Sequence, residues 1–152
     1  MKTSINKKLI NYLIDCRHRL HRIPELGDNL PVTADFVCRQ LDALSVEYKV
    51  IDRAGIVAAL GSGDRAFLLR GDMDALPIKE ASGEVFSSQG PNMHACGHDM
   101  HTSMLLGAAK LLKVAERRLD GKVIFFFQFD EEGLGGAQSL IDSGCLDEEN
   151  II

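Results

Sequence analysis

Three short segments of this chain concentrate the side chains that can ligate, ionise or attack. They are Arg70-Gly71-Asp72-Met73-Asp74, His94-Ala95-Cys96-Gly97-His98-Asp99-Met100-His101 and Gln128-Phe129-Asp130-Glu131-Glu132-Gly133. In the second, Cys96 and His98 stand two apart. Extended backbone aims such residues the same way, and Gly97 between them permits close backbone approach. Cysteine sulfur, histidine nitrogen and carboxylate oxygen form an ordinary donor set for zinc and its first-row neighbours. A thiolate just ahead of a helix N-terminus is also favoured by the helix dipole, which should lower the Cys96 pKa. The bland alternative is a buried thiol beside a surface imidazole.

Glu131 and Glu132 are adjacent, so their side chains diverge. One carboxylate could bind a metal while the other holds a water beside it. Metal-assisted hydrolysis needs that division between an ion that polarises the carbonyl and a base that takes the proton. Solvated loop glutamates are the plain alternative. Asp72 and Asp74, again two apart, could share a face, or could be a turn former and a helix cap. A cysteine hydrolase built on Cys96 is a competing chemistry. It places His98 too near in sequence for an easy in-line base and leaves the glutamate pair unexplained.

Something must hold these segments in place. Apolar residues Ile5, Leu9, Leu13, Cys16 and Leu20 recur at helical spacing up to Arg22, with Pro24 following. A second helix is expected from about Pro31, carrying Phe36, Val37, Leu41 and Leu44. Residues 46–51, 56–60 and 66–69 read as strands. Residues 71–93 hold two prolines and three glycines with little periodicity, a long loop system of the kind found beside functional sites. A third helix is expected over about 99–117. The run Val123-Ile124-Phe125-Phe126-Phe127 is apolar on both faces, as a central covered strand would be, and a short helix should span 136–143. Alternating strands and helices predict a three-layer α/β/α sandwich with a mixed, mostly parallel sheet, the first three strands being close enough to pair antiparallel. In such sheets the site lies at the carboxyl ends of strands. The first and third segments directly follow expected strands.

The chain has 152 residues, formal net charge −5, 45% hydrophobic and 26% charged residues, values of a folded globular protein, not a disordered one. Lysines and arginines are scattered, so nucleic acid is not an expected partner. No apolar segment approaches the roughly 20 residues a membrane helix needs, and no secretory signal is read, so a cytoplasmic location is expected. Cys16, Cys38, Cys96 and Cys145 show no paired spacing, which argues against a disulfide framework.

The segments from Leu69 to Ile78 (Leu-Arg-Gly-Asp-Met-Asp-Ala-Leu-Pro-Ile), from Met93 to Thr102 and from Phe127 to Gly133, with Leu20-His21-Arg22-Ile23-Pro24-Glu25-Leu26-Gly27, resemble in order and spacing the amidohydrolase branch of the aminoacylase and carboxypeptidase family of metallopeptidases. That branch includes N-acyl amino acid amidohydrolases, hippurate hydrolases, auxin-conjugate hydrolases and N-acetyldiaminopimelate deacetylases. The resemblance implies a zinc-exopeptidase-like fold and two divalent ions, with Zn, Mn, Co and Ni all open. It makes Cys96, His98 and Glu132 metal ligands and Glu131 the general base, which activates a metal-held water to cleave the amide of an N-acyl amino acid. Asp74 is expected to orient a ligand from behind, and His18, His21 and His101 to be structural. Two departures stand out: Phe129-Asp130 replaces a usual Pro-Ala, and Gly71 a common alanine. The family is more than twice this length and homodimeric, with an inserted lid or dimerisation domain and two further histidine ligands. On that expectation residues 1–152 are the N-terminal part of the catalytic domain, and alone they would be an inactive fragment that binds metal weakly.

Overall fold

A computed structural model describes residues 6–147 and 150–151. The first helix, α1 (Lys7–His21), starts at Asn6, whose side chain accepts from the Leu9 amide and so caps an otherwise orphaned donor. Ile5, the first apolar position expected on this helix, lies outside the described residues. Helix α2 (Pro31–Ala43) opens on a proline, which fits the first turn because its missing N–H has no helical partner there. Strands β1 (Tyr48–Ile51), β2 (Gly55–Ser62) and β3 (Ala66–Asp72) follow, then α3 (His98–Ala115), β4 (Gly121–Gln128) and α4 (Gly136–Asp142).

The sheet order is β1-β2-β4-β3. It is mixed, as expected, but less parallel than expected: β1–β2 and β2–β4 are antiparallel, and β3–β4 is the parallel pair. The expected antiparallel pairing of the first three strands holds for β1 and β2 only. The reason is that α3 spans the sheet between β3 and β4, and returns the all-apolar strand into the slot between β2 and β3. That central position explains why Phe125, Phe126 and Phe127 are all buried.

Alternate residues of β4 feed opposite layers. Phe125 and Phe127 join Ile56, Ala58, Leu60, Val37, Leu41, Leu105 and Leu106 beneath α1, α2 and α3. Phe126 faces the other way, against Ile51 and Leu140 of the α4 side. Gly71 lets α3 lie close on β3: a Cβ there would come within 3.0 Å of the His101 carbonyl oxygen. The loop of residues 73–97 carries no helix, and short bridges tie it down, Leu26 to Ala75 and Leu76 to Met93.

Candidate metal centre

Three connections deliver the site. β3 ends at Asp72 and passes into Met73-Asp74; β4 ends at Gln128 and passes into Phe129-Asp130-Glu131-Glu132; His98 opens α3. The parallel pairing of β3 and β4, with Asp72 opposite Gln128, brings the first two together at their carboxyl ends. Gly97 turns the chain into α3 with φ of +88°, a conformation side-chain-bearing residues resist. The turn places Cys96 and His98 on one cluster.

The structure brings Cys96, His98 and Glu132 together, one ligand-capable atom of each lying within 4.8 Å of the others. His98 is buried and oriented: its Nδ1 donates to the Asp74 carbonyl at 2.8 Å and lies 3.2 Å from Asp74 Oδ1. A carbonyl oxygen only accepts, so Nδ1 carries a proton, and whenever the ring is neutral its lone pair is on Nε2 and faces outward. That Nε2 is 3.8 Å from Glu131 and 4.0 Å from Glu132, too far to hydrogen-bond. Metal bonds of about 2.0–2.3 Å at tetrahedral angles set neighbouring donors roughly 3.3–3.8 Å apart. The 4.0 Å from Nε2 to Glu132 is slightly wider, so that carboxylate would have to close in by about 0.2–0.7 Å to share a cation with the ring. Both glutamates reach the same ring nitrogen, closer company than their expected divergence suggested.

Asp74 is wholly buried. Burial pushes its carboxyl up, but the His98 ring and the backbone N–H groups of Glu132 and Glu131 outweigh that and hold it below the usual range. Its Oδ2 accepts from the Glu132 amide at 3.0 Å, so one carboxylate positions residues of two clusters. Burial pushes His98 down, and its contacts with Asp74 and the charge of Asp72 reverse the sign, leaving it raised. The Cys96 expectation is corrected. Desolvation, the Glu132 hydrogen bond and the charges of Glu132, Glu131 and Asp72 push the thiol up, so local carboxylates override the helix terminus. A bound cation would invert that balance.

Asp72 does not join Asp74 on His98. Its Oδ1 accepts from both Nε and Nη2 of Arg70, at 2.8 and 2.7 Å, and its Oδ2 lies 3.1 Å from His101 Nδ1. Asp72, His98 and His101 form a second group of donor atoms within 4.8 Å that shares His98 with the first. Arg70 also stands 3.7 Å from Glu131.

Sequence reasoning missed a buried network behind the cluster. His21 Nδ1 lies 2.8 Å from Asp99, which also accepts from Arg17 at 3.2 Å, and His21 Nε2 lies 3.1 Å from Glu80. His18 stacks on Phe86 with centroids 3.9 Å apart. Asp99 stood in a quoted motif, but Glu80 lies in the featureless loop, 59 residues from its partner, and carried no local signal. Burial pushes His94 down to about 4, against the pull of Asp99.

A family model described as peptidase family M20/M25/M40 matches residues 68–151, more than half the chain. The chain belongs to this family. It is 43% identical over 145 residues to the Arabidopsis thaliana protein named IAA-amino acid hydrolase ILR1-like 5, an alignment covering 93% of this chain and 33% of that protein. It is 43% identical over 136 residues to the hippurate hydrolase of Campylobacter jejuni, covering 87% of this chain and 35% of the relative. The solved Bacillus subtilis YXEP protein, described as a dinuclear metal binding peptidase of the M20 family, superposes with a TM-score of 0.90 at 34% identity. That match covers 95% of this chain and 42% of the other. The M20 chain described here thus spans about a third of the length of the curated relatives it matches. The family expected from the motifs is the one found, and the zinc-exopeptidase-like fold with it. Among the described residues, no helix is long and apolar enough to cross a membrane.

Proposed function

We propose that this chain supplies the first part of a two-metal site that hydrolyses the amide bond of N-acyl amino acids. The convergence of Cys96, His98 and Glu132 with Glu131 at its edge carries this reading. In it Cys96, His98 and Glu132 hold divalent ions, of which Zn, Mn, Co and Ni all suit the donor set. Such ions polarise an amide carbonyl and acidify water. Glu131 takes the proton of the attacking water and returns it to the departing amine. Asp74 holds the His98 ring with its outer nitrogen free, as carboxylates and carbonyls commonly do behind a ligating histidine. Water adds across the amide and leaves a carboxylate and an amine. The same reading has the longer protein working as a cytoplasmic homodimer on small N-acyl amino acids.

A second reading, an inactive fragment of such an enzyme, is favoured by one observation. Among the described residues the two donor groups share His98, so they do not furnish separate ligand sets for two ions. The deciding experiment measures metal stoichiometry and hydrolysis of acetyl, benzoyl and longer acyl amino acids for the 152-residue chain and for Cys96→Ser. Metal uptake with turnover supports the first reading, and weak metal uptake without turnover, weakened further in Cys96→Ser, supports the second. If wild type and variant take up metal equally, Cys96 is not a ligand and both fail.

A further inference from the structure

Beside Cys96 lies a cavity of about 320 Å³ whose walls include His21, Glu80, Phe86, His94 and Met100. Its volume is at the lower end for small-molecule sites. Most of its polar wall is internally satisfied: His21 serves Glu80 and Asp99, Asp99 takes Arg17, and Glu80 accepts from Ser82 and the Ser88 amide. His94 is the exception. It is 4% exposed, and neither ring nitrogen has a hydrogen-bond partner. Buried polar groups are rarely left so, and one lining a cavity points to a ligand or a trapped water.

The charge of the wall narrows the ligand. Glu80, Glu84 and Asp99 line the cavity together with Arg17, whose guanidinium is already held by Asp99 and lies 5.0 Å from the Phe86 ring centroid. An anionic group is repelled here, while Phe86, Met93 and Met100 offer apolar surface. An N-acyl amino acid has one anionic end and one neutral end, so only its acyl end suits the cavity.

Resting on the hydrolase reading above, we propose that this cavity is the acyl subsite and that His94 selects acyl groups carrying an uncharged hydrogen-bonding atom beyond the scissile carbonyl. The amino-acid carboxylate then points away from the acidic wall. A site built to bond a substrate hydroxyl rejects the analogue lacking it, because its own polar group is left unpaired.

The test uses N-glycolyl and N-propionyl derivatives of one amino acid, which differ by a hydroxyl in place of a methyl. The metal-loaded protein should favour the glycolyl compound by about tenfold or more in kcat/KM, and His94→Leu should bring the ratio near one. Equal rates in the wild type, or an unchanged ratio in the variant, overturn the proposal. If neither compound is hydrolysed, the hydrolase reading fails, and the subsite is judged by binding alone. In 15N-histidine-labelled wild type, glycolamide should shift the His94 ring nitrogens and propionamide should not. No shift with either, as a trapped water would give, or equal shifts with both, overturns it. The two wild-type measurements stand even if His94→Leu does not fold.

Discussion

Asp74 holds the inner ring nitrogen of His98 with its carbonyl oxygen at 2.8 Å, and its carboxylate Oδ1, which has no hydrogen-bond partner, stands 3.2 Å from the same nitrogen. Its second carboxylate oxygen receives the Glu132 amide. Asp74→Asn keeps the size but loses the charge behind the ring. We expect metal affinity to fall about 10–100-fold, the range for partners that orient ligating histidines, as read by metal titration. An unchanged affinity would remove Asp74 from the site.

Adjacent glutamates should separate binding from chemistry. Glu131→Gln should retain metal and lose about 10²–10⁴-fold in kcat, the usual contribution of a positioned acid–base group. Glu132→Gln should instead lose metal. The opposite pattern would exchange the two roles.

Glu80 gives a pH-dependent stability. Desolvation raises its carboxyl, but Ser82, His21 and the Ser88 amide more than offset this and bring it down to about 2. A depressed acid stabilises the fold fully above the unfolded value of about 4.3, and the contribution is lost as pH falls toward 2. Glu80→Gln should therefore be less stable than wild type at neutral pH, by about 1.5–3 kcal/mol for a charge-assisted bond. Denaturant titrations should show the gap closing in strong acid. A gap that persists there would mean that packing, not charge, is at stake.

Asp130 has the opposite sign. Burial and the charges of Asp74 and Asp28 raise its carboxyl against the help of the Gly135 amide. The folded chain then binds the proton more readily than the unfolded one, so stability falls as pH rises from the unfolded value through the raised one. Asp130 also has φ of +50°, which asparagine tolerates. Asp130→Asn should melt higher than wild type at neutral pH, with the advantage shrinking in acid. A lower melting temperature at neutral pH counts against this account.

Gly136 begins α4 with no room for a side chain. A Cβ there would lie 1.7 Å from the Phe129 carbonyl oxygen and 2.9 Å from Gln128 Cγ. Gly136→Ala must shift backbone just past β4, at a cost of about 3 kcal/mol or more. Chemical denaturation measures it, and a neutral effect would contradict the packing.

Helices and strands were largely legible because their signals are local: the apolar stripe of α1, the proline opening α2, the apolar run of β4. The glutamate pair was legible as a site candidate because it follows a strand end, and Cys96 with His98 because of their spacing; that the three belong together was implied only by the family resemblance. Strand order was not legible. Nothing within residues 121–128 says that they enter between β2 and β3, since β-pairing is chosen by long-range fit. The Cys96 thiol was misjudged because helix-dipole reasoning used its chain neighbours, whereas Glu132, 36 positions later, sets its surroundings. His94 and Glu80 stayed hidden because burial and unmet hydrogen bonds are properties of packing.

The slot taken by β4 has a consequence for biosynthesis. As the chain leaves the ribosome, β1 and β2 can zip into a hairpin, but β3 has no neighbour until residues 121–128 emerge. A nascent chain halted before Gly121 would hold one open-edged hairpin and a solitary strand, an aggregation hazard. Because Glu131 and Glu132 follow that late strand directly, the step that completes the hydrophobic interior also delivers the last acidic groups.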